Sequence, residues 1–162
     1  WVIPFGTPII LVAESPAERV EAARQLVRIG YDDLRGYLEG GVRAWQESGL
    51  PLISTKSITP PELKDWLSYK DKPSVLDVRF NREWYEAHIG GAKHVEAGAL
   101  PAMARSLLDG DSPLVVHCQH GNRSTIALSI LEQKGFKNLY ALDAGFQGWL
   151  DAGYEIVFDG AH

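Results

Sequence analysis

Seven consecutive residues, Cys118-Gln119-His120-Gly121-Asn122-Arg123-Ser124, hold the chain's only cysteine together with a histidine, a glycine and an arginine. The run before them, Pro113-Leu114-Val115-Val116-His117, is short, apolar and β-branched, the pattern of a buried parallel strand. The run after, Ser124-Thr125-Ile126-Ala127-Leu128-Ser129-Ile130-Leu131, has helical apolar spacing. The thiol is therefore expected where a strand hands over to a helix N-terminus. Backbone N–H groups point inward at such a junction, and the helix dipole favours negative charge. Gly121 allows a tight turn and Arg123 adds a positive charge. These surroundings lower a thiol's pKa and make the thiolate the resting nucleophile. A lone cysteine is ordinarily a small buried hydrophobe. The glycine, the arginine and the helix start beside Cys118 argue for chemistry instead.

The rest of the chain must position that loop. Its 162 residues are 45% hydrophobic and 23% charged, the composition of a soluble globular protein. The formal net charge of −5, without a basic patch or tail, argues against nucleic acid as a partner. Apolar stretches such as Pro8–Ala13 are far too short to span a bilayer. A single cysteine cannot form an internal disulfide, so a reducing compartment, the cytoplasm, is expected. The chain begins at Trp1 and shows no signal-peptide pattern, which suggests a fragment of something longer.

The sequence also repeats itself. At an offset of 105 residues, Pro8–Val12 falls on Pro113–His117, and the helical run Val20–Tyr31 falls on the helix that ends Leu131–Phe136. After a one-residue slip, Leu38-Glu39-Gly40-Gly41 matches Leu142-Asp143-Ala144-Gly145, Trp45 matches Trp149, and Gly49 matches Gly153. This reads as a duplicated supersecondary unit. At the loop the copies differ: Ala13 stands for Cys118, Pro16 for Gly121 and Glu18 for Arg123. A cradle lined by Glu14 and Glu18 should repel anions, so the first copy is expected to be inactive. The two tryptophans are expected as core anchors at matching positions.

The second copy carries an N-terminal half that the first lacks. Thr59 can cap a helix with Pro60 at its first position. Ser74–Val78 reads as a strand, Arg79–His88 as a short helix, His88–Ala92 as a turn, and His94-Val95 as a brief strand. Alternating strands and helices imply an α/β fold with a parallel sheet covered on both faces. The expected division is residues 1–55, a partial module whose other half would lie upstream of Trp1, and residues 56–162, a complete domain.

Three segments in order resemble the rhodanese family of sulfurtransferases, over essentially all of residues 56–162. They are Leu76-Asp77-Val78-Arg79 with Glu83 and His88–Ala92, the loop Cys118–Ser124, and Leu142-Asp143-Ala144-Gly145-Phe146-Gln147-Gly148-Trp149. Residues 1–51 resemble the C-terminal half of a catalytically dead module of that family. Such a tandem is also similar to the C-terminal part of fusions with an upstream metallo-β-lactamase-like persulfide dioxygenase domain. The resemblance implies that Cys118 accepts a sulfane sulfur from a small donor, thiosulfate or a low-molecular-weight persulfide. A thiol or cyanide would then remove it, without a cofactor. The loop residues Gln119, His120, Gly121, Asn122, Arg123 and Ser124 would bind substrate. Asp77, Arg79 and Glu83 would form a buried polar support beneath them. Long two-module thiosulfate sulfurtransferases tend to carry arginine near the position of Glu83, which puts thiosulfate preference in question.

Two rivals belong to other classes. A cysteine phosphatase needs five residues between its cysteine and arginine to enclose a tetrahedral phosphate, whereas four separate Cys118 from Arg123. The shorter loop suits a single sulfur atom. A non-catalytic interaction module is the other rival, and the intact cysteine, glycine and arginine weigh against it. His117 and His120 flank the thiol, but successive strand and loop positions point apart, so no metal site is expected.

Overall fold

Short strands and helices alternate along residues 3–107 and 112–158, which the computed structural model describes. The chain divides into two compact units, Trp1–Ser54 and Thr55–His162.

In the first unit, β1 (Ile9–Leu11) and β2 (Leu34–Tyr37) pair in parallel, joined by α1 (Pro16–Arg28) and followed by α2 (Gly41–Glu47). The first helix begins four residues before the expected Val20. Ser15 and Glu18 form a reciprocal capping box, and Pro16 sits where its fixed φ suits the first turn. Trp45 is 36% exposed, which corrects the expectation of a core anchor.

The second unit contains β3 (Lys56–Ile58), α3 (Pro60–Trp66), β4 (Ser74–Asp77), α4 (Asn81–Glu86), β5 (Lys93–His94), α5 (Leu100–Leu107), β6 (Leu114–His117), α6 (Asn122–Gln133), β7 (Leu139–Leu142) and α7 (Gly145–Asp151). Its five strands form an all-parallel sheet in the order β3-β7-β6-β4-β5. Thr59 caps α3 through a capping box with Glu62, and Pro60 occupies the first turn. The short α4 is trimmed at both ends relative to the expected Arg79–His88, and β5 lies one residue early. The helix α5 has no counterpart among the sequence expectations.

Strand β6 lies in the middle of this sheet and is buried along its whole length. Successive side chains point to opposite faces, so the sheet builds two cores. Leu114, Val116 and Cys118 join Leu76, Val78, Leu128 and Leu131 on the face covered by α5 and α6. Val115 joins Val75, Leu142, Leu63, Phe146 and Trp149 on the face covered by α3 and α7. The loop after β6 therefore emerges at the carboxyl edge of the sheet, the usual ligand-binding edge of open parallel sheets. No helix among the described residues is long and apolar enough to cross a membrane.

Candidate functional site

The buried strand β6 delivers Cys118 to the start of α6, with the residue only 2% exposed. Gly121 caps that helix at φ 113°, in the left-handed region that glycine enters without a Cβ penalty. This turn brings the Gly121 N–H to 3.1 Å from Cys118 Sγ. Ser124 donates its hydroxyl proton to Gly121 O at 2.7 Å and lies 3.8 Å from Sγ as an acceptor for the thiol. Burial is the largest influence on the thiol and opposes ionisation. The backbone N–H groups of Ser124, Gly121 and His120 together outweigh it and hold Cys118 below its ordinary pKa.

The loop is clamped from behind by α7. Phe146 N donates to Cys118 O at 2.8 Å, and Gln147 N donates to Gln119 O at 3.1 Å. Two otherwise orphan donors of a helix start are thus satisfied by the carbonyls of the reactive loop. So close an approach requires Gly145. Its φ is 60°, and a Cβ there would stand 2.4 Å from Cys118 O.

Two ion pairs flank the thiol. In the first, Arg79 reaches Asp77 through Nε at 3.0 and 2.9 Å and through Nη2 at 2.6 Å, with both side chains buried. Arg79 also donates to Ala87 O at 2.7 Å and to Gln119 Oε1 at 3.3 Å, and lies over the Phe146 ring at 3.9 Å. Gln119 Nε2 in turn donates to Gln147 Oε1 at 3.3 Å. In the second pair, Arg123 makes a two-pronged contact with Glu83 at 2.5 and 2.8 Å. The hydrogen bond from Arg123 is the first cause that holds Glu83 below its ordinary pKa; burial opposes it, and the Phe80 N–H assists. The same bond raises Arg123.

The structure brings the expected residues together with one regrouping. Asp77 and Arg79 form a buried support, whereas Glu83 leaves that group for Arg123, its side chain 23% exposed. It does so because the parallel register of β4 with β6 sets Asp77 opposite His117. The α4 turn after β4 then lies beside the loop after β6. Gln119 turns its side chain inward to Arg79 and Gln147, while His120 and Asn122 are exposed. His117 is buried beside Asp77 at 3.8 Å, and burial lowers its pKa, keeping it neutral near pH 7. Gln147 and Gly145 were present in the third sequence segment, but their contacts with the loop had no local signal. Trp84 is stacked between His88 and His94, with ring centroids at 3.6 and 4.8 Å, and Asn81 N donates to Glu96 at 2.6 Å. Both arrangements tie α4 in place and were not legible in the sequence. No group of three or more metal-ligating side chains occurs among the described residues.

The site is thus an acidified cysteine thiol held by backbone amides at the carboxyl edge of a five-stranded parallel sheet in an α/β domain. Residues 59–152 match the rhodanese-like domain family, and the chain belongs to it. It is similar to the thiosulfate sulfurtransferase GlpE of Pseudomonas putida F1, at 36% identity over 90 residues, covering 56% of this chain and 81% of that one. The GlpE of Pseudomonas fluorescens SBW25 is 39% identical over 75 residues, covering 46% and 68%. Among solved structures, a rhodanese-related protein from Thermoplasma volcanium superposes with a TM-score of 0.57 at 30% identity, over 63% of this chain and 97% of that one. A thiosulfate sulfurtransferase from Pseudomonas aeruginosa shares the fold with a TM-score of 0.57 at 23% identity, over 96% of this chain and 33% of that one. The family and the two GlpE relatives support sulfurtransferase activity in the broad sense.

Replacing Arg79 by Met leaves the Asp77 charge buried without its partner, at an expected cost of about 3–5 kcal/mol. Asp77→Asn added to that variant should recover much of the loss, as read from urea unfolding. Gly145→Ala combines a left-handed φ with a carbonyl clash, and should cost about 2–4 kcal/mol. Ala144, already at φ 54°, is the control, because Ala144→Gly meets no such clash and should leave the melting temperature close to that of the wild type.

Proposed function

We propose that Cys118 carries a sulfane sulfur, as a persulfide, from a small donor to a thiol or cyanide. The observation that carries this reading is the Gly121 N–H at 3.1 Å from Sγ, within a loop whose neighbouring amides also favour the thiolate. In the first step the thiolate attacks the outer sulfur of thiosulfate or of an organic persulfide R–S–SH. A bond forms from Sγ to that sulfur, and the donor's S–S bond breaks. Its electron pair leaves on sulfite or on R–S⁻, and any proton on the transferred sulfur travels with it. In the second step an acceptor thiolate or cyanide attacks the terminal sulfur and releases a new persulfide or thiocyanate. The Cys118 thiolate is restored, and no external oxidant or reductant is consumed.

The loop's role is electrostatic. Preorganised N–H groups solvate the thiolate and then the terminal persulfide sulfur without reorganising. The clamp from α7 keeps them aimed at the sulfur. Exposure to a sulfane donor should add one sulfur to the wild-type protein by intact mass, localised to Cys118, and none to Cys118→Ser. No gain with any donor would favour a binding module instead.

By the same reading, residues 1–55 are an inactive half-copy of such a module. Several features support it. Gly40 and Gly41, with φ of 71° and 61°, hold the positions of Ala144 and Gly145, with φ of 54° and 60°. Trp45 Nε1 donates to Pro51 O at 3.0 Å, as Trp149 Nε1 donates to Glu155 O at 3.0 Å. Ala13 stands where the thiol would be. The Glu18 carboxylate does not line an open cradle, as the sequence suggested, but folds back onto the Glu14 and Ser15 N–H groups at 3.1 and 3.2 Å. The chain's own carboxylate fills the anion's place. Titration with sulfate or thiosulfate should leave the amide NMR signals of residues 15–19 unmoved, and saturable shifts there would contradict the assignment.

A further inference from the structure

His117 ends β6 and is fully buried, yet the two transfer steps above give it no task. Its ring lies between two acceptors. Nδ1 is 3.4 Å from Cys118 O, and Nε2 is 3.8 Å from Asp77 Oδ2, without a hydrogen-bond partner among the described residues. A neutral imidazole carries one N–H, so it donates at one end only. The separation at Nε2 is beyond hydrogen-bond reach. The Asp77 carboxylate is also already filled: Oδ1 accepts from Arg79 N and Nε, and Oδ2 from Nε and Nη2. Cys118 O takes Phe146 N on one lone pair and has a second to offer. Of the two neutral forms, the one with the proton on Nδ1 therefore satisfies more of the site. Burial is the largest influence that keeps the ring neutral, and Arg79 and His94 act in the same direction. The Asp77 carboxylate and the Cys118 carbonyl oppose them, while the Phe146 ring, parallel to the imidazole within 20°, adds no charge.

The Cys118 carbonyl matters because of what lies across its peptide. A trans peptide sets its C=O and its N–H on opposite sides, and no cis bond occurs among the described residues. Phe146 N and His117 Nδ1 hold Cys118 O on the α7 side, and Gln147 N holds Gln119 O there. The N–H groups of Gln119 and His120 are thereby turned away from α7. The His120 amide is one of those that favour the thiolate. Phe146 belongs to a helix of seven residues, whereas His117 belongs to the buried central strand itself. Its N–H fixes the start of the loop from the element that also carries the cysteine.

We propose that His117 is a positioning residue for the reactive loop: as the neutral Nδ1–H tautomer it donates to Cys118 O and, with Phe146 N, fixes the peptide from which the thiolate-facing amides project. It touches neither sulfur donor nor acceptor, and it transfers no proton. The role rests on Cys118 being the nucleophile of the carrier reading and is indifferent to the source of the sulfur. The bare Nε2 beside Asp77 is the cost of that tautomer, accepted in the interior because Arg79 already satisfies the carboxylate.

Long-range proton–nitrogen NMR spectra of the full chain, labelled at histidine, read the tautomer directly. His117 should show a protonated Nδ1 and a bare Nε2 at pH 7, and should stay neutral near pH 6.5, where an ordinary histidine is half charged. An Nε2–H tautomer or an imidazolium at pH 7 overturns the proposal. Two variants then read the consequence at the thiol. His117→Phe keeps a ring beside Phe146 and removes both nitrogens, whereas His117→Asn keeps an N–H near the place of Nδ1. The rate of Cys118 alkylation by iodoacetamide at pH 7 should fall roughly threefold to tenfold in His117→Phe, the size of one lost hydrogen bond, and the thiolate midpoint should rise with it. His117→Asn should recover at least half of that loss on a logarithmic scale. A His117→Phe chain that is less stable to urea but keeps the wild-type rate and midpoint shows a packing role alone and overturns the proposal. So does a loss that His117→Asn leaves in full. The spectra need no variant, so they decide the matter even where a variant fails to fold. None of these measurements uses a sulfur donor; a wild-type chain that takes up no sulfur overturns the carrier reading, which is a different result.

Discussion

The convergence of backbone N–H groups on Cys118 Sγ is the constraint around which the second unit is built. An ionised sulfur at a nearly buried position is unfavourable, because burial penalises the charged form. Here burial is the largest influence on the thiol, and the amides of His120, Gly121 and Ser124 still overcome it. That requires a turn no wider than the Gly121 geometry allows, a helix starting immediately after it, and a strand stiff enough to hold the cysteine still. The central, wholly buried β6 supplies the last of these.

The two ion pairs divide the labour of keeping that turn in shape. Asp77 and Arg79 are sealed in the interior, where the pair reaches Gln119 and packs on Phe146, linking β4, the loop and α7. A buried pair of this kind is weak evidence for net stability, but it holds a specific arrangement because either partner alone would be an unpaired charge. Glu83 and Arg123 lie nearer the surface, with side chains 23% and 24% exposed, and tie α4 to the start of α6.

What the sequence revealed follows from what is local. The β-branched run of β6, the glycine turn and the apolar spacing of α6 lie within some twenty residues, and each is a short-range signal. The Thr59 capping box was equally legible, since its partners are three residues apart. Glu83 and Arg123 are forty residues apart. Their pairing follows from the parallel register of β4 and β6, which no local pattern states. The misreading of Trp45 has a related cause. Repeat matching identifies equivalent positions, yet burial depends on what covers them. Val75, Leu63 and Ile89 pack into the same core as Trp149, and the first unit, as described, has no equivalents of these residues. The start of α1 differs from the sequence expectation because the Ser15–Glu18 capping box opens the helix at Pro16, within the segment that aligns with the Cys118 loop.

Backbone geometry, opposed by burial, makes Cys118 a stronger acid than an ordinary thiol. Titrating the ultraviolet thiolate absorbance of the wild-type chain against Cys118→Ser measures that ionisation directly. A midpoint clearly below the ordinary thiol value of about 8.5 is the expected result. A midpoint at or above it would mean that burial wins, and that the amides around Gly121 do not make the nucleophile.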